Sequence, residues 1–294
     1  MTKINNLIQS YLKKQNLFDL IGVISFFLIL IVAALFFLRK GQYVYVTLRV
    51  SNDRILREGY FNRSPEWYIE NLPVGLEDID LLGKVNAEVV RVYYYPKIDV
   101  NQTVFVTLKL RSVYNQRTKQ YSYNGLPVLI GGYQNINING VSMSGIVHEI
   151  GESFIEVSKI KEKKYLVTGT LETQANEIIK FTADTGFEGI KKTISKNLAE
   201  GIVSKDSEGK TIATIKKIKR SPARRTFISG NYLASAIDPK RENIELEMEV
   251  LTKEINGRFL YQEESPIILN TIVGFNFESF EIVMTVNDFE EVED

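Results

Sequence analysis

The chain has 294 residues, 36 Lys and Arg against 36 Asp and Glu, one histidine and no cysteine. Balanced charge gives no overall nucleic-acid signal, and the lack of cysteine excludes disulfide frameworks and thiolate sites. A single histidine excludes a zinc site built on several imidazoles.

Leu20 to Leu38 reads LIGVISFFLILIVAALFFL, 19 residues without a charge. At about 1.5 Å per residue a helix here covers roughly 28 Å, close to the roughly 30 Å hydrocarbon core of a bilayer. Asp19 bounds the run on one side, and Arg39 with Lys40 on the other. The run is apolar all round, which argues against a surface-packed core helix. Val32-Ala33-Ala34 has the small residues of a signal cleavage site, but the run continues past it through Leu35-Phe36-Phe37-Leu38. The sequence therefore predicts a cytoplasmic segment over 1–18 and a retained transmembrane anchor over 19–40, with the lipid bilayer as partner of residues 20–38. Lys3, Lys13 and Lys14 precede the span, while Arg39, Lys40, Arg49 and Arg54 follow it, so the positive-inside count does not decide orientation. A large domain behind an uncleaved anchor points outward. The expected location is the cell membrane, with the bulk of the chain extracytoplasmic.

Five of the 36 basic and one of the 36 acidic residues fall in the first 40, leaving a net charge of −4 beyond them. Some 254 residues can bury one large core or two moderate ones. Runs such as Tyr43–Val50 and Val104–Leu110 alternate β-branched and aromatic residues with polar ones, the pattern of half-buried strands. Ser64-Pro65-Glu66-Trp67 has the cap, proline and early acid of a helix start. Phe187 to Leu198 reads as a second helix, with Ile190, Ile194 and Leu198 on one face.

Leu72–Pro96 and Leu198–Pro222 align without a gap at an offset of 126. Leu72, Gly75, Asp80, Gly83, Lys84, Ala87 and Pro96 match Leu198, Gly201, Asp206, Gly209, Lys210, Ala213 and Pro222. After an insertion in the second copy, Val104, Val106, Leu108 and Leu110 match Ile244, Leu246, Met248 and Val250. The expected fold is mainly β with short helices: two tandem duplicated domains, barrel-like or sandwich-like, over 41–160 and 161–289, and an acidic tail over 290–294. Asp80-x-x-Gly83-Lys84 and Asp206-x-x-Gly209-Lys210 read as tight turns, since aspartate bonds its own backbone and glycine allows positive φ. Gly75 and Gly201 sit where αL helix caps are expected. No further acid or histidine recurs around the two aspartates at ligand spacing. No catalytic residue, metal site or cofactor is predicted, and the chain is not expected to be an enzyme.

The anchor, the L-x-x-G-x-x-x-x-D-x-x-G-K turn and the Gly125–Gly131 segment GLPVLIG resemble a bacterial family of single-pass, membrane-anchored β-domain proteins of unknown function. That resemblance implies a tethered β-domain and no particular chemistry. Gly75, Gly83 and Val85 are also similar in kind to the lipid-transfer (MCE-type) domains of envelope importers, with different spacing.

The copies differ most where Tyr93-Tyr94-Tyr95 faces Lys219-Arg220-Ser221, within the basic run Lys216, Lys217, Lys219, Arg220, Arg224 and Arg225. These residues are the candidate partner surface, the cations being suited to an anionic lipid or polymer. The expected function is a non-catalytic, membrane-anchored envelope protein whose β-modules bind a partner protein or surface polymer, with homo-oligomers allowed. The alternative is a lipid- or solute-handling adaptor of a transport complex.

Overall fold

The computed structural model describes residues 17–38, 42–50, 64–96, 101–171, 185–229, 232–255 and 257–292. Lys3, Lys13, Lys14, Arg39, Lys40 and Arg54 lie outside these residues, as does the side chain of Trp67. The chain divides into two compact units, Met1–Gln42 and Tyr43–Asp294.

The first unit carries one helix, α1 (Leu17–Leu38), of 22 residues. Side-chain environments are described for the eleven residues Ile21–Ile31, all of them exposed. Eleven residues rise about 16 Å. Among the described residues no helix is long and apolar enough to cross a membrane.

The second unit is built from antiparallel strands in two sheets. The first holds β1 (Gln42–Val50), β2 (Ser64–Pro65), β3 (Glu77–Ile79), β4 (Val85–Tyr95) and β5 (Asn101–Asn115), with a short helix α2 (Glu66–Glu70) after β2. It continues through β6 (Gln120–Tyr123), β7 (Leu126–Val128), β8 (Tyr133–Ile138) and β9 (Val141–Gly151), and the helix α3 (Phe154–Ser158) follows. The order is β3-β4-β5-β1-β9-β8, curled so that the edge strands β3 and β8 come into contact.

The second sheet begins with β10 (Glu162–Leu171), β11 (Thr185–Phe187), β12 (Ile190–Lys191), helix α4 (Lys192–Ser195) and β13 (Val203–Lys205). Then come the long β14 (Thr211–Ser229) and β15 (Tyr232–Ile255), β16 (Arg258–Tyr261), β17 (Ser265–Pro266), β18 (Ile272–Asn276) and β19 (Glu281–Val292). Its order, β11-β14-β15-β10-β19-β18 with β13 on β14, repeats the first.

The offset of 126 holds down to single bonds. Gly75 N donates to Val89 O, and Gly201 N to Ile215 O, at 2.8 Å in both modules. Val90 and Lys216, 126 apart, are both bulged out of their ladders. The matched rows Val104/Val106/Leu108/Leu110 and Ile244/Leu246/Met248/Val250 are buried, each in the core of its own sheet. Alternating apolar side chains on a strand fill the inside of a curled sheet, so the pattern survives wherever the sheet does.

Two expectations change. Phe187–Leu198 is not one helix: Gly189 has φ +68°, Ile190 pairs with Glu242 as a β-bridge, and only Lys192–Ser195 is helical. Positive φ at Gly189 breaks the turn that a helix needs. Nor does an acidic tail start at residue 290. Glu290, Glu291 and Val292 continue β19 and pair with Leu166, Tyr165 and Lys164 of β10. Backbone pairing, which the acidic composition does not reveal, holds them in the sheet.

Candidate functional site

The sequence-predicted turns are structural. Asp80 Oδ1 accepts from the backbone N–H of Leu82 and Lys84, and Asp206 Oδ1 from those of Glu208 and Lys210. Gly75, Gly83, Gly201 and Gly209 all have positive φ, between +75° and +87°. The Lys84 N–H, followed by that of Leu82 and the Arg111 guanidinium 2.7 Å away, holds the Asp80 carboxyl below its usual range against some desolvation. In each turn Oδ1 of the aspartate is committed to the backbone of its own loop, and Asp80 Oδ2 pairs with Arg111 of β5.

The tyrosine run is not an outer surface. Tyr93 and Tyr95 are each 1 % exposed, and with Phe105 they join the core of the second module. On β5 the inward residues Val104, Val106 and Leu108 fill the first sheet, while Phe105, on the other face, packs on the second. Each such aromatic contributes roughly 1.5–3 kcal/mol by leaving water. Between the two residues, Tyr94 exchanges backbone bonds with Ser207, donating to Ser207 Oγ at 2.9 Å and accepting from Ser207 N at 3.0 Å. The partner of this run is the chain's own second module.

At the centre of that interface lies Glu263, whose side chain is fully buried. Its carboxyl accepts from Tyr93 OH (3.0 Å), Tyr95 OH (2.8 Å) and Lys253 Nζ (2.7 Å), with His148 Nε2 at 3.2 Å. Lys253 also lies 4.8 Å from the centre of the Tyr93 ring. Burial first, then the charge of Glu263, pushes both phenols well above their ordinary range. Burial pulls His148 down, against the pull of Glu263, and its ring packs on Phe105 at 5.3 Å. A second acid, Glu149, is pushed up to about 7 by burial and then by Glu263. Its Oε2 is buried without a hydrogen-bond partner among the described residues.

Glu263 sits in the loop between β16 and β17, with φ +59°, after Gln262 at +51°. The corresponding β6–β7 turn of the first module uses Asn124-Gly125, residues suited to positive φ. A side chain with a Cβ is uncommon there, and the buried bonds of Glu263 compensate for it. Comparing the two turns in sequence, Asn-Gly against Gln-Glu-Glu, is the signal that could have found this residue.

The basic run separates into two parts. Lys216 pairs with Glu249 (2.7 Å) and Lys219 with Glu245 (3.4 Å), while Lys217 faces Glu247 across the β14–β15 ladder. Arg220 donates to the carbonyls of Ser195 and Leu198 and lies 3.6 Å from Glu242. The glutamates of β15 offset these cations at the surface. Arg224 and Arg225 lie farther out, where β14 and β15 continue past Pro222 as a ribbon beyond the repeated part of the sheet.

Arg225 lines a cleft of about 1060 Å³ at the root of that ribbon, with Lys191, Lys192, Lys240 and Arg241. Among the described residues Asp238 is the one acid that lines it, with Phe227, Ala236, Ile237 and Pro239 as its apolar part. Arg241 is positioned by a 2.8 Å bond to Gly189 O, and Lys191 by the β12 bridge. Among the described lining residues, four cations and the buried Arg241 stand against one acid beside apolar side chains, a balance suited to an anionic ligand. Among the described residues no group of three or more potential metal ligands converges.

No protein-family model, curated protein or solved structure matches the chain. The reading of the cleft rests on its own chemistry.

Proposed function

We propose that the chain is a membrane-tethered, non-catalytic envelope protein that binds an anionic surface polymer in the cleft at the root of the β14–β15 ribbon. The observation that carries this reading is the charge of the cleft: Lys191, Lys192, Arg225, Lys240 and Arg241 against Asp238 among the described lining residues. The apolar Leu20–Leu38 run supports the tether, and the interlocked modules supply a stiff body for the site.

The test uses the full chain in detergent micelles, with polyglutamate and polyphosphate as probes and neutral dextran as control. Both polyanions are expected to bind at low salt and to weaken as the Debye length falls below about 10 Å above 0.1 M. Lys192→Ser with Lys240→Ser is expected to weaken binding about tenfold, for a loss near 1.4 kcal/mol. No binding at low salt, or equal binding by the variant, rejects the reading. Phe227 and Ile237 in the cleft lining support a second reading, the handling of an acidic lipid. Binding to anionic vesicles but to neither polymer would select it.

A further inference from the structure

We propose that two copies of this chain associate through the side of β15 that no described strand covers, pairing Tyr232–Asp238 of one copy antiparallel to the same segment of the other about a two-fold axis at Ser235. The window shares Ala236, Ile237 and Asp238 with the lining of the cleft, so the two readings are separated by variants at cleft residues outside the window.

Beyond the body, β15 is covered on one side by β14, from Arg224↔Ile237 to Ser229↔Tyr232. On its other side β10 covers Glu245–Lys253 and β12 covers Arg241 and Glu242. Among the described residues no strand pairs with that side from Tyr232 to Lys240. Such an edge presents unpaired N–H and C=O groups as a template for another strand. Pro239 has no N–H and closes the pairing window on the body side.

The window reads Tyr-Leu-Ala-Ser-Ala-Ile-Asp, and its centre is a near-palindrome. Turned about Ser235, Ala234 meets Ala236 and Leu233 meets Ile237, each pair occurring twice, while Ser235 faces its own copy. Tyr232 falls opposite Asp238. An isologous contact requires this self-complementarity, because every residue that contacts another is contacted by it in return. The only charge in the window is at its end, so no like charges oppose each other across the centre. Leu233 and Ile237, which would form the two apolar pairs, are 77 % and 63 % exposed. The sequence symmetry selects a second copy of this chain over an unrelated strand.

The chain has no cysteine, so an introduced thiol reports without background. Directly opposed residues of an antiparallel pair have Cα atoms about 4.5–5.5 Å apart, within the roughly 4.4–6.8 Å that a disulfide spans. In the full chain in micelles, Ser235→Cys treated with diamide is expected to give a disulfide-linked dimer. Tyr232→Cys alone is expected to give little. A mixture of Leu233→Cys and Ile237→Cys chains is expected to link to each other in preference to themselves. Leu233→Lys in the Ser235→Cys background is expected to cut the linked fraction about tenfold. Because Leu233 is exposed, that change does not threaten the fold. Equal linking at all four positions would indicate random collision and overturn the proposal. So would no linking at Ser235→Cys while its thiol still reacts with maleimide. Lys192→Ser with Lys240→Ser is expected to leave the Ser235→Cys link unchanged, so loss of anion binding and loss of pairing are read separately.

Discussion

Tyr93 of the first module donates its hydroxyl to both carboxyl oxygens of Glu263 in the second, at 3.0 Å each, across 170 residues of chain. Tyr95 and Lys253 reach the same carboxyl. Removing it leaves two buried phenols and a nearly buried ammonium without their acceptor. Glu263→Ala is therefore expected to cost about 3–5 kcal/mol, as for other broken buried pairs, read as a lower denaturant midpoint. Glu208→Ala, which breaks a more exposed contact to Arg91 in the same interface, is expected to cost at most about 1 kcal/mol. Similar small losses for both would show that Glu263 does not lock the modules.

Glu149 makes the stability of this interface depend on pH. Its carboxyl is raised to about 7 in the folded chain, mainly by burial, so the folded state holds a proton that the unfolded state releases from about pH 4.3 upward. Its contribution is present below that pH and is lost as pH rises through about 7. Glu149→Gln is expected to remove this fall and to raise stability at pH 8 by about 1–2 kcal/mol, discounted for partial exposure. His148 acts in the opposite direction: its lowered value contributes stability above pH 6.5 that is lost as pH falls through the folded value. Melting curves from pH 4 to 8 check both signs. A Glu149→Gln profile parallel to wild type would overturn the assignment.

The repeated turns are expected to respond alike. Gly83 and Gly209 have φ of +75° and +83°, and a Cβ at either meets nothing within 4 Å. Alanine there is expected to cost about 1 kcal/mol from backbone conformation alone. Asp206→Ala, which frees the N–H groups of Glu208 and Lys210, is expected to cost about 1–2 kcal/mol. Urea unfolding measures all three. Strongly unequal costs at the two glycines would count against equivalent turns.

Residues 20–38 are expected to keep the mature chain in the membrane fraction through a carbonate wash. Recovery in the soluble fraction with a new N-terminus near Leu35 would replace the anchor by a cleaved signal.

The sequence by itself determined the β-rich class, the two-fold repeat and its turns. These rest on local chemistry: alternation puts apolar side chains on one face of a strand, and Asp-x-x-Gly-Lys closes a turn wherever it occurs. The same local patterns misread Phe187–Leu198, because a β-bridge from Ile190 to distant Glu242 overrides a helical spacing of apolar residues. Only the tertiary structure decided what the divergent positions do. Tyr93 and Lys219 stand at equivalent places in their modules, yet one is buried against Glu263 and the other pairs with Glu245 at the surface. One module's strand end meets the other module while its counterpart meets water. That difference comes from how the two copies pack, to which residues far apart in sequence contribute, and no pattern within either copy encodes it.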